Sequence, residues 1–161
     1  MRGDPKVIQQ LNAALSSEMT AVVQYMVQAE TCESWGYSRL AGRTKARAIE
    51  EMRHAEHLIE RIIFLEGTPE VAVPLAPKVG KSVQEHLQLD YDDEEDAVKQ
   101  YNTAAHICSE AGDAGSKDLF EGMISDEERH ADFLEAQLHS IKEMGIGPYL
   151  SQQMKAEQAG K

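Results

Sequence analysis

The chain has 161 residues and a formal net charge of −12, from 28 acidic and 16 basic side chains. Its length is typical of one domain, so we expect residues 1–161 to form a single domain. Neither nucleic acid nor a membrane is an expected partner, because the chain is acidic and contains no apolar run of membrane-spanning length.

The opening MRGDPKV is too polar for a signal peptide, so we expect a cytoplasmic protein. The first helix is predicted to begin at Pro5, with Asp4 as its N-cap, and to run to about Glu33. A second helix is predicted from Ser38, and its apolar spacing continues to Leu65 before glycine and proline end it. The link between them is short, so the two helices should pack antiparallel.

Residues 67–81 are rich in proline and glycine and have no apolar period. Ser82 then opens a third helix with a capping-box pattern, and Gly112 and Gly115 are predicted to end it. Ser116 is predicted to begin a fourth helix. In extended form the crossover can run the length of the bundle, so the third helix should start beside the start of the second.

A short fifth helix is predicted at the C-terminal end. Gly145 closes the fourth helix, Pro148 suits the first position of the fifth, and that helix should reach about Lys155 before a frayed tail. The expected fold is all-α. It is a four-helix bundle with a long crossover between the second and third helices and a short fifth helix, the arrangement of ferritin-like folds.

The sequence repeats itself at an offset of 76 residues. EEMRHAEHL at 50–58 aligns with DEERHADFL at 126–134, and five of the nine positions are identical. Without a gap, residues 18–32 align with 94–108, and seven of fifteen positions match. Most of the matched residues lie on one side of each helix, so the repeat indicates the inward face.

The repeat identifies six chemically important side chains that should converge in the middle of the bundle. They are Glu18, Glu51, His54, Glu94, Glu127 and His130. A single ExxH is most often an exposed polar pair, but four buried carboxylates without a cation would be very costly. Two divalent ions would balance them, and mixed oxygen and nitrogen ligands suit iron or manganese better than zinc.

Three further residues have two interpretations each. Tyr25 and Tyr101 follow their repeated glutamates by seven residues, so they either support ligand carboxylates through hydrogen bonds or are ordinary buried aromatics. Met52 lies between Glu51 and His54 but points away from them on a helix, and its counterpart in the repeat is Glu128. A methionine in such a position usually fills a packing interface, and the less common alternative is that its thioether is a haem ligand.

With these residues identified, the chain resembles the bacterioferritins over essentially its whole length. The resemblance lies in MRGDPKVIQQLN, in WG at 35–36, and in three longer segments: EEMRHAEHLIERIIFLEG at 50–67, DEERHADFLEAQL at 126–138 and MGIGPYLSQQM at 144–154. It implies that the six repeated residues are the ligands of a di-iron ferroxidase centre. It also implies that Met52 from each of two subunits is an axial ligand of haem b.

The family further implies a shell of 24 subunits built from two-fold dimers. In that shell Fe(II) would be oxidised by dioxygen or hydrogen peroxide and stored as ferric mineral, and a small ferredoxin would supply electrons through haem for iron release. Some members have an accessory iron site facing the cavity, which is doubtful here because its positions correspond to Ala46 and Glu50. The alternatives left open are a di-iron or di-manganese oxidase, peroxidase or catalase, and a haem-binding electron-transfer protein.

Overall fold

The computed structural model describes residues 1–70, 72 and 76–154. Five helices account for most of them: α1 (Pro5–Ser34), α2 (Ser38–Phe64), α3 (Val83–Glu110), α4 (Ala114–Met144) and α5 (Ile146–Ser151). α1 packs mainly on α2 and α3 mainly on α4, while α5 contacts the end of α4. The predicted four-helix bundle with a short fifth helix is therefore confirmed. None of the helices in these ranges is both long and apolar enough to cross a membrane.

The beginnings of α1 and α3 are fixed by the predicted caps. The side chain of Asp4 accepts a hydrogen bond from the backbone N–H of Lys6 at 2.7 Å, and Pro5 occupies the first turn. The hydroxyl of Ser82 accepts from the backbone N–H of Glu85 at 3.2 Å. Each cap satisfies a backbone donor that has no partner within the helix, so both predicted helix starts are correct.

The predicted end of α3 is confirmed, but the predicted start of α4 is wrong. Gly112 ends α3 as expected, with a φ of 69°, but α4 begins at Ala114 rather than Ser116. Asp113 is the N-cap, and its side chain accepts from the backbone N–H of Ser116 at 2.9 Å. Gly115 therefore lies inside the first turn of α4 instead of ending the helix before it.

Packing from α2 explains why a glycine is placed there. A Cβ on Gly115 would lie 2.6 Å from Nη2 of Arg61, so a larger residue would force this guanidinium to shift. Arg61 donates to Asp113 at 2.6 Å and to the hydroxyl of Ser116 at 2.9 Å. Partial burial disfavours ionisation of Asp113, but the hydrogen bonds from Ser116 and Arg61 outweigh it and lower the pKa of this carboxyl.

Replacing Asp113 by alanine is expected to lower stability by about 1 kcal/mol or more, because the N-cap and the partner of Arg61 are lost together. Since the folded-state pKa of Asp113 is lowered, its contribution should be full at neutral pH and should disappear as the pH falls through that lowered pKa. The midpoint of thermal unfolding measures both effects. Asp118→Ala, an exposed change on the same helix, is the control, and equal midpoints for the two variants would contradict the prediction.

The fifth helix also differs from its prediction. It begins at Ile146 and ends at Ser151, so Pro148 is its third residue rather than its first. Proline is tolerated there because the first N–H groups of a helix have no intrahelical acceptor. The helix therefore ends earlier than the predicted end near Lys155, and the predicted frayed tail lies outside the described residues.

The crossover follows α1 along the bundle, as far as the structure describes it. The side chain of Asn12 donates to the carbonyl of Thr68 and accepts from the backbone N–H of Glu70. Further along α1, the side-chain oxygen of Gln24 accepts from the backbone N–H of Lys78 at 3.2 Å. These contacts carry the chain from the end of α2 back to the other end of the bundle, where α3 begins.

The sequence repeat is also a repeat of helix boundaries. Adding the offset of 76 residues to Ser34, the end of α1, gives Glu110, which ends α3. Adding it to Ser38, the start of α2, gives 114, where α4 begins. The two antiparallel helix pairs are thus equivalent halves of the bundle.

The apolar core is divided into two clusters. One, which includes Leu11, Leu58 and Phe120, joins the start of α1, the end of α2 and the junction between α3 and α4. The other, which includes Leu40 and Leu134, joins the opposite ends of the same four helices and contacts α5. The repeated acidic residues lie between the two clusters, at mid-bundle.

Candidate metal centre

All six side chains singled out by the repeat meet at mid-bundle. Each is almost fully buried, with 2 to 6% of its surface exposed. They form two overlapping groups of four whose ligand atoms all lie within 4.8 Å of one another. The first group is Glu18, Glu51, His54 and Glu127, and the second is Glu51, Glu94, Glu127 and His130.

Two glutamates belong to both groups, and each histidine faces them through Nδ1. Nδ1 of His54 lies 3.1 Å from Oε2 of Glu51 and 3.2 Å from Oε1 of Glu127. Nδ1 of His130 lies 2.9 Å from Oε2 of Glu127 and 3.6 Å from Oε1 of Glu51. The arrangement offers two adjacent positions for a cation, with Glu51 and Glu127 shared and one imidazole at each.

Burial raises the pKa of two carboxyls of the centre, Glu18 and Glu94. Burial, together with the charges of Glu51 and Glu127, raises the pKa of Glu18 to about 8 although His54 opposes the shift. Burial likewise raises the pKa of Glu94 well above its usual value. Without a metal, protons and imidazolium charge therefore have to balance part of the acidic cluster.

Glu127 and His54 shift in the directions expected of a close ion pair. Burial disfavours the charged form of each, but their close contact and the contacts to other members of the centre outweigh it. As a result the pKa of Glu127 is lowered and that of His54 is raised. A metal ion at this position would take the place of the imidazolium proton as the positive charge beside the carboxylates.

One oxygen in the centre fits a metal ion directly. Oε1 of Glu127 is fully buried, and within residues 1–70, 72 and 76–154 it accepts no hydrogen bond of good geometry, although Nδ1 of His54 lies 3.2 Å away. A buried carboxylate oxygen without a partner is unfavourable, and a cation at that point would satisfy it. The donor set of four carboxylates and two imidazoles suits iron or manganese.

The two repeated tyrosines both contact ligand carboxylates, each across the bundle. Tyr25 donates from its hydroxyl to Oε1 of Glu94 at 2.5 Å, and Tyr101 donates to Oε1 of Glu18. Both rings are buried. Of the two interpretations, the geometry agrees with support of the carboxylates through hydrogen bonds.

Two acidic residues at the outer edge of the centre were not predicted to be part of it. Nε2 of His54 lies 3.0 Å from Oδ2 of Asp126, and Nε2 of His130 lies 2.7 Å from Oε2 of Glu50. With the proton on Nε2 donated to these carboxylates, Nδ1 is left as the ligand atom. Glu50 and Asp126 occupy equivalent positions in the repeat, and both are acidic although they are not identical. An alignment of the two halves that scored aspartate and glutamate as equivalent would have identified them.

Arg47 was also missed, and nothing in the repeat indicates it. Its guanidinium donates to Oε1 of Glu51 at 2.9 Å and also to Oε1 of Glu94. Its side chain is 13% exposed. The centre thus contains a fixed positive charge in addition to its six expected members.

Two cavities of about 420 Å³ each reach the centre from opposite sides. One lies between α1 and α3 beside the crossover, and its walls include Glu18, Glu94 and the outer acidic residues Asp93 and Asp96. The other lies between α2 and α4 and is lined by Arg47, Glu50, Asp90 and His130 among others. Ala46 lies in the wall of this second cavity and offers no ligand atom.

Met52 lies away from the carboxylates. Its side chain is 44% exposed, and Ile49, one turn earlier on α2, is 43% exposed. On α1, which packs against α2, Met26 is exposed as well. Met52 and Ile49 therefore face outward from α2, separate from the inward centre.

Comparisons with known proteins agree with the fold. A family model described as a ferritin-like domain matches residues 8–144. The chain is 45% identical over 145 residues to a protein named bacterioferritin from Rhodobacter capsulatus, with 90% of each chain covered. It is 44% identical over 149 residues to the bacterioferritin of Brucella melitensis biotype 1, with 92% of each covered.

A more distant relative shows the same coverage. The bacterioferritin of Streptomyces coelicolor is 39% identical over 151 residues, which cover 94% of this chain and 90% of the relative. Nearly the full length of each relative is therefore matched.

Proposed function

The chain belongs to the bacterioferritin family, and we propose from this membership and from the centre that it oxidises Fe(II) and stores it as ferric mineral. Family membership supports iron storage in general. The observation that supports the ferroxidase step is the pair of overlapping groups, in which two shared carboxylates and one imidazole on each side face two cation positions.

In this proposal iron is the substrate. Two Fe(II) ions give up one electron each, and the oxidant is dioxygen or hydrogen peroxide. Two electrons and two protons convert hydrogen peroxide into two water molecules, or dioxygen into hydrogen peroxide. The Fe(III) product then moves to the interior of a shell, where it mineralises.

The residues of this chain would hold and orient the ions. Glu51 and Glu127 lie between the two positions, and Glu18 and Glu94 each serve one. The tyrosine hydroxyls fix the latter two carboxylates. The acidic wall of the cavity between α1 and α3 favours the approach of cations from that side.

We propose that Met52 supports a haem b shared by two subunits, one thioether from each. The exposed thioether beside Ile49 fits this role, because it combines a sulfur ligand with an apolar surface for the macrocycle. When bound, the haem would supply one-electron chemistry for the reductive release of iron, with a small ferredoxin as the electron donor. The shell of 24 subunits built from two-fold dimers is part of the same proposal.

The test is native mass spectrometry of the purified protein combined with iron and haem analysis. We expect a shell-sized mass, iron loading after addition of Fe(II) with oxygen, and one haem for every two subunits. A small oligomer that turns over peroxide without storing iron would instead favour an oxidase, peroxidase or catalase. Haem binding without coupled mineral formation would favour an electron-transfer protein.

Removing one tyrosine hydroxyl should weaken metal binding without emptying the centre. Tyr101→Phe leaves Glu18 without its donor, so we expect the affinity for Co²⁺ to fall by about 10-fold. Titration of the metal-free protein with Co²⁺ measures it. Tyr91→Phe, on the same helix but with an exposed contact to Glu95, is the control. Identical Co²⁺ affinities for the two variants would show that Tyr101 has a packing role only.

Two other expectations stay predictions. They are a single domain over residues 1–161 and a cytoplasmic location. The accessory site facing the cavity is not part of the proposal, because Ala46 has no ligand atom and Glu50 is paired with His130.

A further inference from the structure

Arg47 places a guanidinium inside the acidic centre. Nε donates to Oε1 of Glu51 at 2.9 Å, and Nη2 donates to Oε1 of Glu94. Both carboxylates are almost fully buried. A guanidinium stays protonated in proteins, so a permanent positive charge lies against two of the carboxylates that face the proposed cation positions.

The repeat shows that this charge has no counterpart in the other half of the bundle. The position 76 residues after Arg47 is Met123, which is 2% exposed and belongs to the apolar core. The other donors do match, since Glu94 accepts from Tyr25 as Glu18 accepts from Tyr101. The centre is therefore symmetric in its ligands and asymmetric in its charge.

The asymmetry falls on one of the two cation positions. Both Glu51 and Glu94 belong to the group that contains His130, whereas the group that contains His54 shares only Glu51 with the guanidinium. A divalent ion in the His130 group has to compete with Arg47 for two carboxylates. An ion in the His54 group finds Glu18 free of any arginine contact in the part of the chain that the structure describes.

We propose that Arg47 makes the two metal positions unequal, so that the position at Glu18 and His54 fills first and the position at Glu94 and His130 fills only when the guanidinium withdraws. The inference rests on the proposed di-metal function and concerns the order of binding at that site. In the metal-free protein, Arg47 acts as an internal counter-cation that partly neutralises the acidic cluster.

The structure provides space for the withdrawal. Arg47 lines the cavity of about 420 Å³ between α2 and α4. The carboxylates of Asp90 and Glu50 line that cavity together with the guanidinium groups of Arg43 and Arg129, and Glu50 already contacts Arg129 and His130. A guanidinium that releases Glu94 therefore keeps carboxylates nearby but shares them with two other arginines.

Titration of the metal-free shell with Co²⁺, followed by calorimetry and by the visible absorption of the bound ion, tests the order. For the wild type we expect two steps whose dissociation constants differ by about 10-fold or more. Arg47→Met, which copies the counterpart residue, should tighten the second step and bring the two together. Arg47→Lys keeps the positive charge and should keep two steps.

Two controls make the result specific. Arg43 is on the same helix and lines the same cavity, where its guanidinium carbon lies 4.0 Å from the centroid of the Phe133 ring. The Arg43→Met variant should therefore bind Co²⁺ as the wild type does. Glu18→Gln should remove the tight step, and Glu94→Gln the weak one. The thermal midpoint should fall for metal-free Arg47→Met but recover in its loaded form.

The outcomes separate this inference from the proposed function. Two steps in the wild type that merge in Arg47→Met, with Arg43→Met unchanged, support it. An Arg47→Met isotherm identical to the wild type, or loss of the tight step in Glu94→Gln, overturns the inference while the di-metal site stands. No Co²⁺ binding by the wild type overturns the proposed function and this inference with it.

Discussion

Replacing His130 or Glu18 by alanine is expected to abolish the rapid oxidation of Fe(II) while the protein still folds. Each residue serves one of the two positions, so either change leaves a centre that holds at most one ion properly. The initial rate should fall on the order of 100-fold or more, since loss of a ligand is more severe than loss of an outer hydrogen bond. Stopped-flow absorbance of ferric product measures the rate.

His139→Ala is the matched control for this experiment. His139 is on α4 like His130 but is exposed and far along the helix from the centre, so its loss should leave oxidation unchanged. Circular dichroism and native mass should be the same for all the variants. Wild-type oxidation kinetics in both His130→Ala and Glu18→Ala would reject the assignment of the centre.

Met52→Leu should remove the haem without affecting iron oxidation. Leucine keeps the apolar surface beside Ile49 but has no sulfur to coordinate iron. We expect the haem absorption band to disappear and reductive iron release to slow on the order of 10-fold or more, since the route through haem is lost. The initial rate of Fe(II) oxidation should match the wild type because Met52 points away from the carboxylates.

The control for this change is another exposed methionine, Met144, at the end of α4. Met144→Leu should retain haem at the wild-type ratio. If Met52→Leu also retained haem at that ratio, the axial ligand would have to be another residue, while the proposal for the ferroxidase centre would be unaffected.

The six members of the centre could be predicted from the sequence because they form three pairs related by the 76-residue repeat. Repetition of Glu18 at Glu94 and of the ExxH at Glu127 and His130 selects the inward face without any knowledge of packing. Helix starts at Asp4 and Ser82 were predictable for a similar reason, since a cap depends on residues within one turn.

Features that depend on contacts between distant helices could not be predicted in this way. Gly115 obeys a local rule for helix ends, but it lies inside the first turn of α4, where Arg61 from α2 packs against it. Arg47 has the i, i+4 spacing to pair with Glu51 on α2, whereas its contact with Glu94 joins it to α3. That second contact between distant residues places the guanidinium in the centre.

The separation of the apolar core into two clusters has a consequence for repeated use. The helices are packed together at both ends of the bundle, and the acidic layer lies between these packed ends. A change of charge at mid-bundle, on binding or release of a cation, therefore acts on a segment of each helix whose two ends are held by apolar packing. We expect the backbone at both packed ends to keep its position when the charge at mid-bundle changes.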